Sequence, residues 1–219
     1  MSSRANAPHH LPEFAARQMT VGELAASLVD ADLVGDPSVV VTGVQYFADW
    51  LQPGDLFAAL GGSSHDGHDF AATAVERGVH ALLVERRLPL AVPQIVVPNT
   101  RAALAPISVT FHGDPSRELE VFGITGTDGK TTTAFILRHL LHEAGSLETG
   151  LMGTVGIETG GGVSKSLGHQ TTPESNLVQG YLREMVEHGV THAILEATSH
   201  GLAMHRLDGV TFRYAGITN

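Results

Sequence analysis

The seven residues Gly126-Thr127-Asp128-Gly129-Lys130-Thr131-Thr132 have the types and order needed to hold a phosphate chain. Glycines let the backbone turn N–H groups toward an anion, and a helix N-terminus adds the positive end of its dipole. Lys130 can offer its ammonium to the β- and γ-phosphates, and Thr131 can place a hydroxyl on Mg2+. The loop follows the hydrophobic stretch Val121-Phe122-Gly123-Ile124-Thr125 and leads into an apolar helical pattern. The glycines are three apart, as GxxGKT, and Ile124 stands where the longer GxxxxGK[ST] pattern has its first glycine. A second candidate is Glu196, which ends the apolar run Thr191-His192-Ala193-Ile194-Leu195. In open α/β sheets ligands lie beyond the carboxyl ends of strands, so Glu196 is expected to face the Lys130 loop. A carboxylate there can hold Mg2+ directly or through water. These residues call for ATP and Mg2+, with Lys130 on the phosphates and Thr131 and Glu196 as metal ligands.

Strands and helices must place these groups. Lys130 to about Ala144 is predicted as the helix after the loop, and Leu119–Thr125 as the strand before it. A helix is expected from about Glu174 to His188, and strands at His192–Leu195 and Tyr214–Thr218. Upstream, Thr20 with Glu23 forms a capping-box signature before Val21–Leu28. Val39–Val41, Leu56–Leu60, Ala81–Val84 and Gln94–Val97 are predicted as strands, with helices at Phe70–Arg77 and Asn99–Phe111. Alternating strands and helices imply parallel sheets. The expected class is α/β: a small mixed N-terminal domain, then a parallel-sheet central domain of phosphate-loop type that is truncated. The break His112-Gly113-Asp114-Pro115-Ser116 sets the boundary, giving an arm over 1–19 and domains over 20–115 and 116–219.

Composition excludes several alternatives. A formal net charge of −10, with no Lys/Arg run, argues against nucleic acid or an anionic lipid surface. The absence of cysteine removes disulfides and thiolate metal sites. No apolar run approaches a membrane span and the start lacks a signal-peptide core, so a cytoplasmic α/β protein is expected.

Taken together, four segments resemble the Mur ligases, most closely the MurE type. They are the loop from Thr125 to Thr132; Gly153-Thr154-Val155-Gly156 with Thr171-Thr172-Pro173; Glu196-Ala197-Thr198-Ser199-His200-Gly201-Leu202 with His205-Arg206; and Pro53-Gly54-Asp55-Leu56-Phe57 with Asp66-Gly67-His68. The resemblance implies an ATP-dependent ligase that adds the third amino acid to UDP-MurNAc-L-Ala-D-Glu through an acyl phosphate, in peptidoglycan synthesis, with Lys130 and Glu196 as the catalytic groups. On this resemblance Gln170, Thr171, Thr172, Thr198 and Arg206, with Ser63 and Ser64, are the substrate-binding candidates, and an amino acid and a UDP-MurNAc-dipeptide-like substrate are the partners. On this resemblance the family's C-terminal amino-acid-binding domain is expected to be absent from these 219 residues.

The resemblance is not complete. The family's Tyr-Asp-Ser-Arg stretch is Tyr46-Phe47-Ala48-Asp49 here, so a hydroxyl and a cation are missing at the UDP end. Met204 stands where a glutamine is usual, Thr198 where a serine is usual and Gln170 where an asparagine is common. Two further readings therefore stay open: a ligase of the same superfamily acting on another carboxylate, or a non-catalytic nucleotide-binding module. The pairs His65/His68 and His139/His142 are expected to be solvated histidines, and His200 is a candidate for a local role in the site. Trp50 reads as core packing. The 219-residue chain alone is expected not to form an amide bond; ATP-dependent ligation by the purified chain would overturn this.

Overall fold

The computed structural model describes residues 14–62, 65–160, 163–164 and 171–219. The chain divides into two compact units, Ala15–His112 and Gly113–Asn219 with Phe14.

The first unit contains β1 (Met19–Thr20), α1 (Val21–Ala26), β2 (Asp32–Val34), β3 (Val40–Val41), β4 (Gly43–Gln45), β5 (Asp55–Ala58), α2 (Ala71–Glu76), β6 (Ala81–Val84), β7 (Gln94–Val96) and α3 (Thr100–His112). Its five-stranded sheet has the order β2-β7-β6-β5-β4. Strands β4 to β7 are parallel and β2 pairs antiparallel with β7. Side chains alternate faces along a strand. Leu56, Ala58 and Leu83 therefore enter one core with Leu24, Leu104 and Ile107, while Phe57, Ala59, Leu82 and Val84 enter another with Ala71 and Ala74. Burial on both faces explains the unbroken apolar runs of these strands. The capping box forms as predicted: Glu23 N–H donates to Thr20 Oγ1 at 3.2 Å and Thr20 N–H donates to Glu23 Oε2 at 2.8 Å.

Several local expectations change. Val39–Val41 is not a buried strand of the main sheet. Val40 is exposed, and Val40–Val41 pairs only with Met19–Thr20. Strands β2 and β4 had no clear signal: both are short, β2 is followed by Gly35 and β4 begins with Gly43. Trp50 is buried, edge-on to Phe47 at 5.2 Å, as core packing requires. His68 is not a solvated histidine. It is buried, with Nδ1 2.6 Å from Asp66 and Nε2 accepting the Glu85 N–H at 2.8 Å.

The second unit contains β8 (Glu120–Thr125), α4 (Lys130–His139), β9 (Thr149–Met152), β10 (Ile157–Glu158), β11 (Val163–Ser164), α5 (Ser175–Glu187), β12 (His192–Glu196), α6 (Ser199–Ala203) and β13 (Tyr214–Ile217). The sheet order is β11-β10-β9-β12-β8-β13. The four strands β9, β12, β8 and β13 are parallel, and β10 and β11 form an antiparallel extension. Ala134 of α4 packs on Ile124, Leu151 and Ile194 of the sheet. The helix predicted to Ala144 changes to a π-turn over Leu140–Ala144 before Gly145. Phe14, expected in the arm, lies edge-on to Tyr181 at 5.2 Å. No helix among the described residues is long and apolar enough to cross a membrane.

The first unit also carries a titratable weak point. Asp55 is 5% exposed, and its carboxylate accepts the Gln52 N–H at 2.8 Å. Burial pushes its pKa up to about 6, against the opposing pull of that N–H and of His80. The folded protein thus holds this proton more tightly than the unfolded chain. The stability tied to it is complete below the unfolded value of 3.8 and is lost as pH rises through about 6. Asp55→Asn keeps an acceptor for Gln52 and does not titrate. It should gain about 2 kcal/mol on wild type between pH 4 and pH 7.5, read from paired urea denaturation curves.

Candidate functional site

The site begins where β8 ends. Gly126 and Gly129 adopt φ of +139° and +80°, conformations that side-chain-bearing residues avoid. A Cβ on Gly126 would lie 2.2 Å from Thr218 Oγ1, so this glycine is also required by close approach. Gly129 opens α4, which makes Lys130 and Thr131 the first residues of the helix. The Lys130 ammonium donates to Gly126 O at 2.6 Å and to Thr127 O at 3.1 Å. Asp128 and Thr132 are exposed on the loop and first turn.

Parallel pairing then brings the carboxylate in. Glu196 at the end of β12 lies opposite Ile124 of β8. The side chain is only 1% exposed, and Thr131 Oγ1 donates to its Oε2 at 2.9 Å across 65 residues of sequence. The other donors come from the turn after β9: Thr154 Oγ1 to Oε2 at 3.0 Å and Thr154 N–H to Oε1 at 3.2 Å. A Cβ on Gly153 would lie 2.1 Å from Oε1, so the turn can approach only with glycine there. The glycine-threonine pair after a strand was visible in the sequence, but β9 was not recognised, so its proximity to Glu196 was missed.

The substrate candidates gather on the other side of Glu196. Thr172 Oγ1 donates to the Glu196 carbonyl at 2.9 Å and accepts the Thr198 N–H at 3.2 Å. Thr198 caps α6 by accepting the Gly201 N–H at 3.0 Å, and its hydroxyl lies 3.1 Å from that of Thr172. Thr171 is 3.0 Å from the Thr154 hydroxyl. Arg206 is buried. Its Nε donates to Glu174 Oε1 at 3.0 Å and its Nη1 to Thr172 O at 3.0 Å. This pairing had no sequence signal, because Glu174 reads as a helix start. Ser63, Ser64 and Gln170 lie outside the described residues.

A cavity of about 450 Å³ opens between the two halves of this site. Its lining includes Gly126, Thr127, Lys130, Thr198, Ser199 and His200. The loop backbone and Lys130 thus face the same space as His200. No cluster of three or more His, Cys, Asp or Glu able to hold a metal exists among the described residues. The metal-capable set is one carboxylate and one hydroxyl, Glu196 and Thr131, 2.9 Å apart. All-oxygen donors with few protein ligands suit Mg2+ carried on phosphate oxygens.

Comparison with known proteins gives a consistent result. Residues 40–112 match the Mur ligase family catalytic domain, and residues 124–219 match the Mur ligase middle domain. The chain is 46% identical over 205 residues to a UDP-N-acetylmuramyl-tripeptide synthetase of Deinococcus radiodurans, covering 90% of the chain and 41% of that protein. It is 40% identical over 185 residues to the UDP-N-acetylmuramoyl-L-alanyl-D-glutamate--2,6-diaminopimelate ligase of Geobacillus thermodenitrificans, covering 84% and 37%. A solved structure of a protein with that same ligase name superposes with a TM-score of 0.73 at 25% identity, over 92% of this chain and 40% of the other. The chain therefore spans about two fifths of the length of these relatives.

The Arg206–Glu174 pair generates a stability test. Both side chains are nearly out of solvent, at 9% and 6% exposure, so removing the guanidinium takes a charge-assisted partner away from a buried carboxylate. Arg206→Met should cost about 3 kcal/mol, measured by chemical denaturation of the chain.

Proposed function

Because the chain belongs to the Mur ligase family, we propose that it supplies the nucleotide cradle of an ATP-dependent carboxylate–amine ligase of peptidoglycan synthesis. The observation that carries this reading is the convergence of Lys130, Thr131 and Glu196 on one end of the parallel sheet, with Thr131 bonded to Glu196. The acceptor is a UDP-MurNAc-dipeptide-like molecule, and an amino acid supplies the amine. Dependence on ATP puts the reaction in the cytoplasm.

The chemistry proceeds in two steps. A substrate carboxylate oxygen attacks the γ-phosphorus of ATP, a P–O bond forms, and the bond to ADP breaks. The amine then attacks the acyl-phosphate carbonyl, phosphate leaves, and the amine gives up a proton as the amide forms. Lys130 and the N–H groups of the loop hold the phosphates and meet the charge that builds on the transferred group. Thr131 and Glu196 would hold Mg2+, whose contribution when bound is to neutralise phosphate oxygens. Thr171, Thr172 and Thr198 are proposed to hold the acceptor, and Arg206 to act there through its grip on the Thr172 carbonyl and Glu174.

At the UDP end, Asp49 lies 3.6 Å from Arg77, whose guanidinium also bonds the Ala48 carbonyl. An acidic side chain engaged in this way favours weaker capture of a diphosphate-bearing acceptor, which keeps another carboxylate substrate as the second reading.

Calorimetric titration of the chain with ATP and Mg2+ tests the proposal. Wild type should bind, and Lys130→Ala should lose about tenfold or more in affinity, as expected for a charge-assisted phosphate contact. An absence of binding by wild type would defeat the reading. Titration with UDP-MurNAc-dipeptide then separates the two acceptor readings.

A further inference from the structure

Among the described residues the Glu196 carboxylate accepts no hydrogen bond from a lysine or arginine: its partners are the Thr131 hydroxyl and the Thr154 hydroxyl and N–H. Thr154 thus reaches both carboxylate oxygens from one residue, which fixes the plane of the carboxylate as well as its position. Strand β9 makes this possible. It runs parallel beside β12 with Met152 opposite Leu195, so Gly153 and Thr154 leave the sheet level with Glu196.

The proton directions follow from simple chemistry. An ionised carboxylate only accepts, and a hydroxyl has a single proton to donate. The Thr154 proton is therefore committed to Glu196 Oε2. The 3.0 Å bond between Thr154 and Thr171 must then be donated by Thr171. That commitment leaves Thr171 with lone pairs, not a proton, for anything bound beyond it. The bonds run in one sense, from Thr171 through Thr154 to Glu196, and join the acceptor-side turn to the metal-side carboxylate.

We propose that Thr154 is a positioning residue, which orients the Glu196 carboxylate for a divalent cation and sets Thr171 as a donor pointing inward. This rests on the ATP–Mg2+ reading of the site. A carboxylate already held at both oxygens loses little freedom when it captures a cation. Partners of this kind behind a metal ligand are typically worth about 10- to 100-fold in metal affinity.

The test compares ATP affinity of the full chain with Mg2+ and with EDTA, by calorimetry, in Thr154→Val and Thr154→Ser. Valine keeps the shape and the backbone N–H but removes the hydroxyl; serine restores it. Thr154→Val should weaken ATP binding about tenfold in Mg2+ and leave the EDTA value nearly unchanged, with Thr154→Ser close to wild type. Equal losses with and without Mg2+ would mark a merely structural role and overturn the proposal, as would no loss at all or a serine variant no better than valine. If the valine variant fails to melt cooperatively, Thr154→Ala makes the same comparison. Wild-type chain that binds no ATP in Mg2+ would overturn the functional reading and this inference together, whereas normal wild-type binding with an unaffected valine variant overturns only the inference.

Discussion

The pairing of β8 with β12 is the constraint on which the site depends. These strands are adjacent in the sheet although the aligned residues lie 72 positions apart, Val121 opposite Ala193 and Ile124 opposite Glu196. Because they run parallel, their carboxyl ends emerge together, and everything chemical in the second unit gathers there. A slip of one residue in either strand would turn Glu196 to the opposite face and part it from Thr131. The apolar contacts of Ile124, Leu151 and Ile194 beneath α4 hold that register.

That register also forces a polar problem on the fold. Burying a carboxylate is costly unless donors replace the lost water. The structure meets this with hydroxyls and one N–H from the helix start and the turn after β9. Hydroxyl donors satisfy an anion without neutralising it. A buried lysine or arginine would have been the stronger partner for stability, and it would also have spent the charge that a cation could use. The Arg206–Glu174 pair shows the other solution in the same unit, where a full cation is paired and the result is a fixed structural joint. Two buried carboxylates in one unit are thus treated oppositely.

Much of this was legible in the sequence, and the failures have physical causes. The phosphate loop was readable because strand, two glycines, Lys130 and Thr131 occur in one contiguous segment, and Glu196 because an apolar run ended in a charge. Helices with caps, such as Thr20 with Glu23, were placed within a residue or two. Strand β9 was not, because Thr149-Gly150-Leu151-Met152 has no β-branched run and owes its conformation to neighbours on both sides. Losing β9 hid Thr154. His68 was misjudged since its spacing from His65 says nothing about Asp66 and the Glu85 N–H, which together take both ring nitrogens. Arg206 belongs to the same class: its partners lie 32 and 34 residues away and only the folded sheet brings them together.

The phosphate loop itself is held from outside as much as from within. Thr218, just past β13, donates its N–H to the Thr125 carbonyl at 2.9 Å, and its hydroxyl lies 2.5 Å from the Asp128 carbonyl. These bonds bracket the loop at both ends, and the positive φ of Gly126 is what allows Thr218 so close. The loop backbone is therefore shaped before any ligand arrives, so binding need not order it. Lys130 is the exception. Its ammonium is folded onto the carbonyls of Gly126 and Thr127, neutral acceptors that a phosphate would outcompete with full charge. The shorter GxxGKT spacing fits this division of labour: Thr218, just past β13, supplies the fixing that additional loop residues would otherwise provide, and a single side chain is left to move toward the ligand.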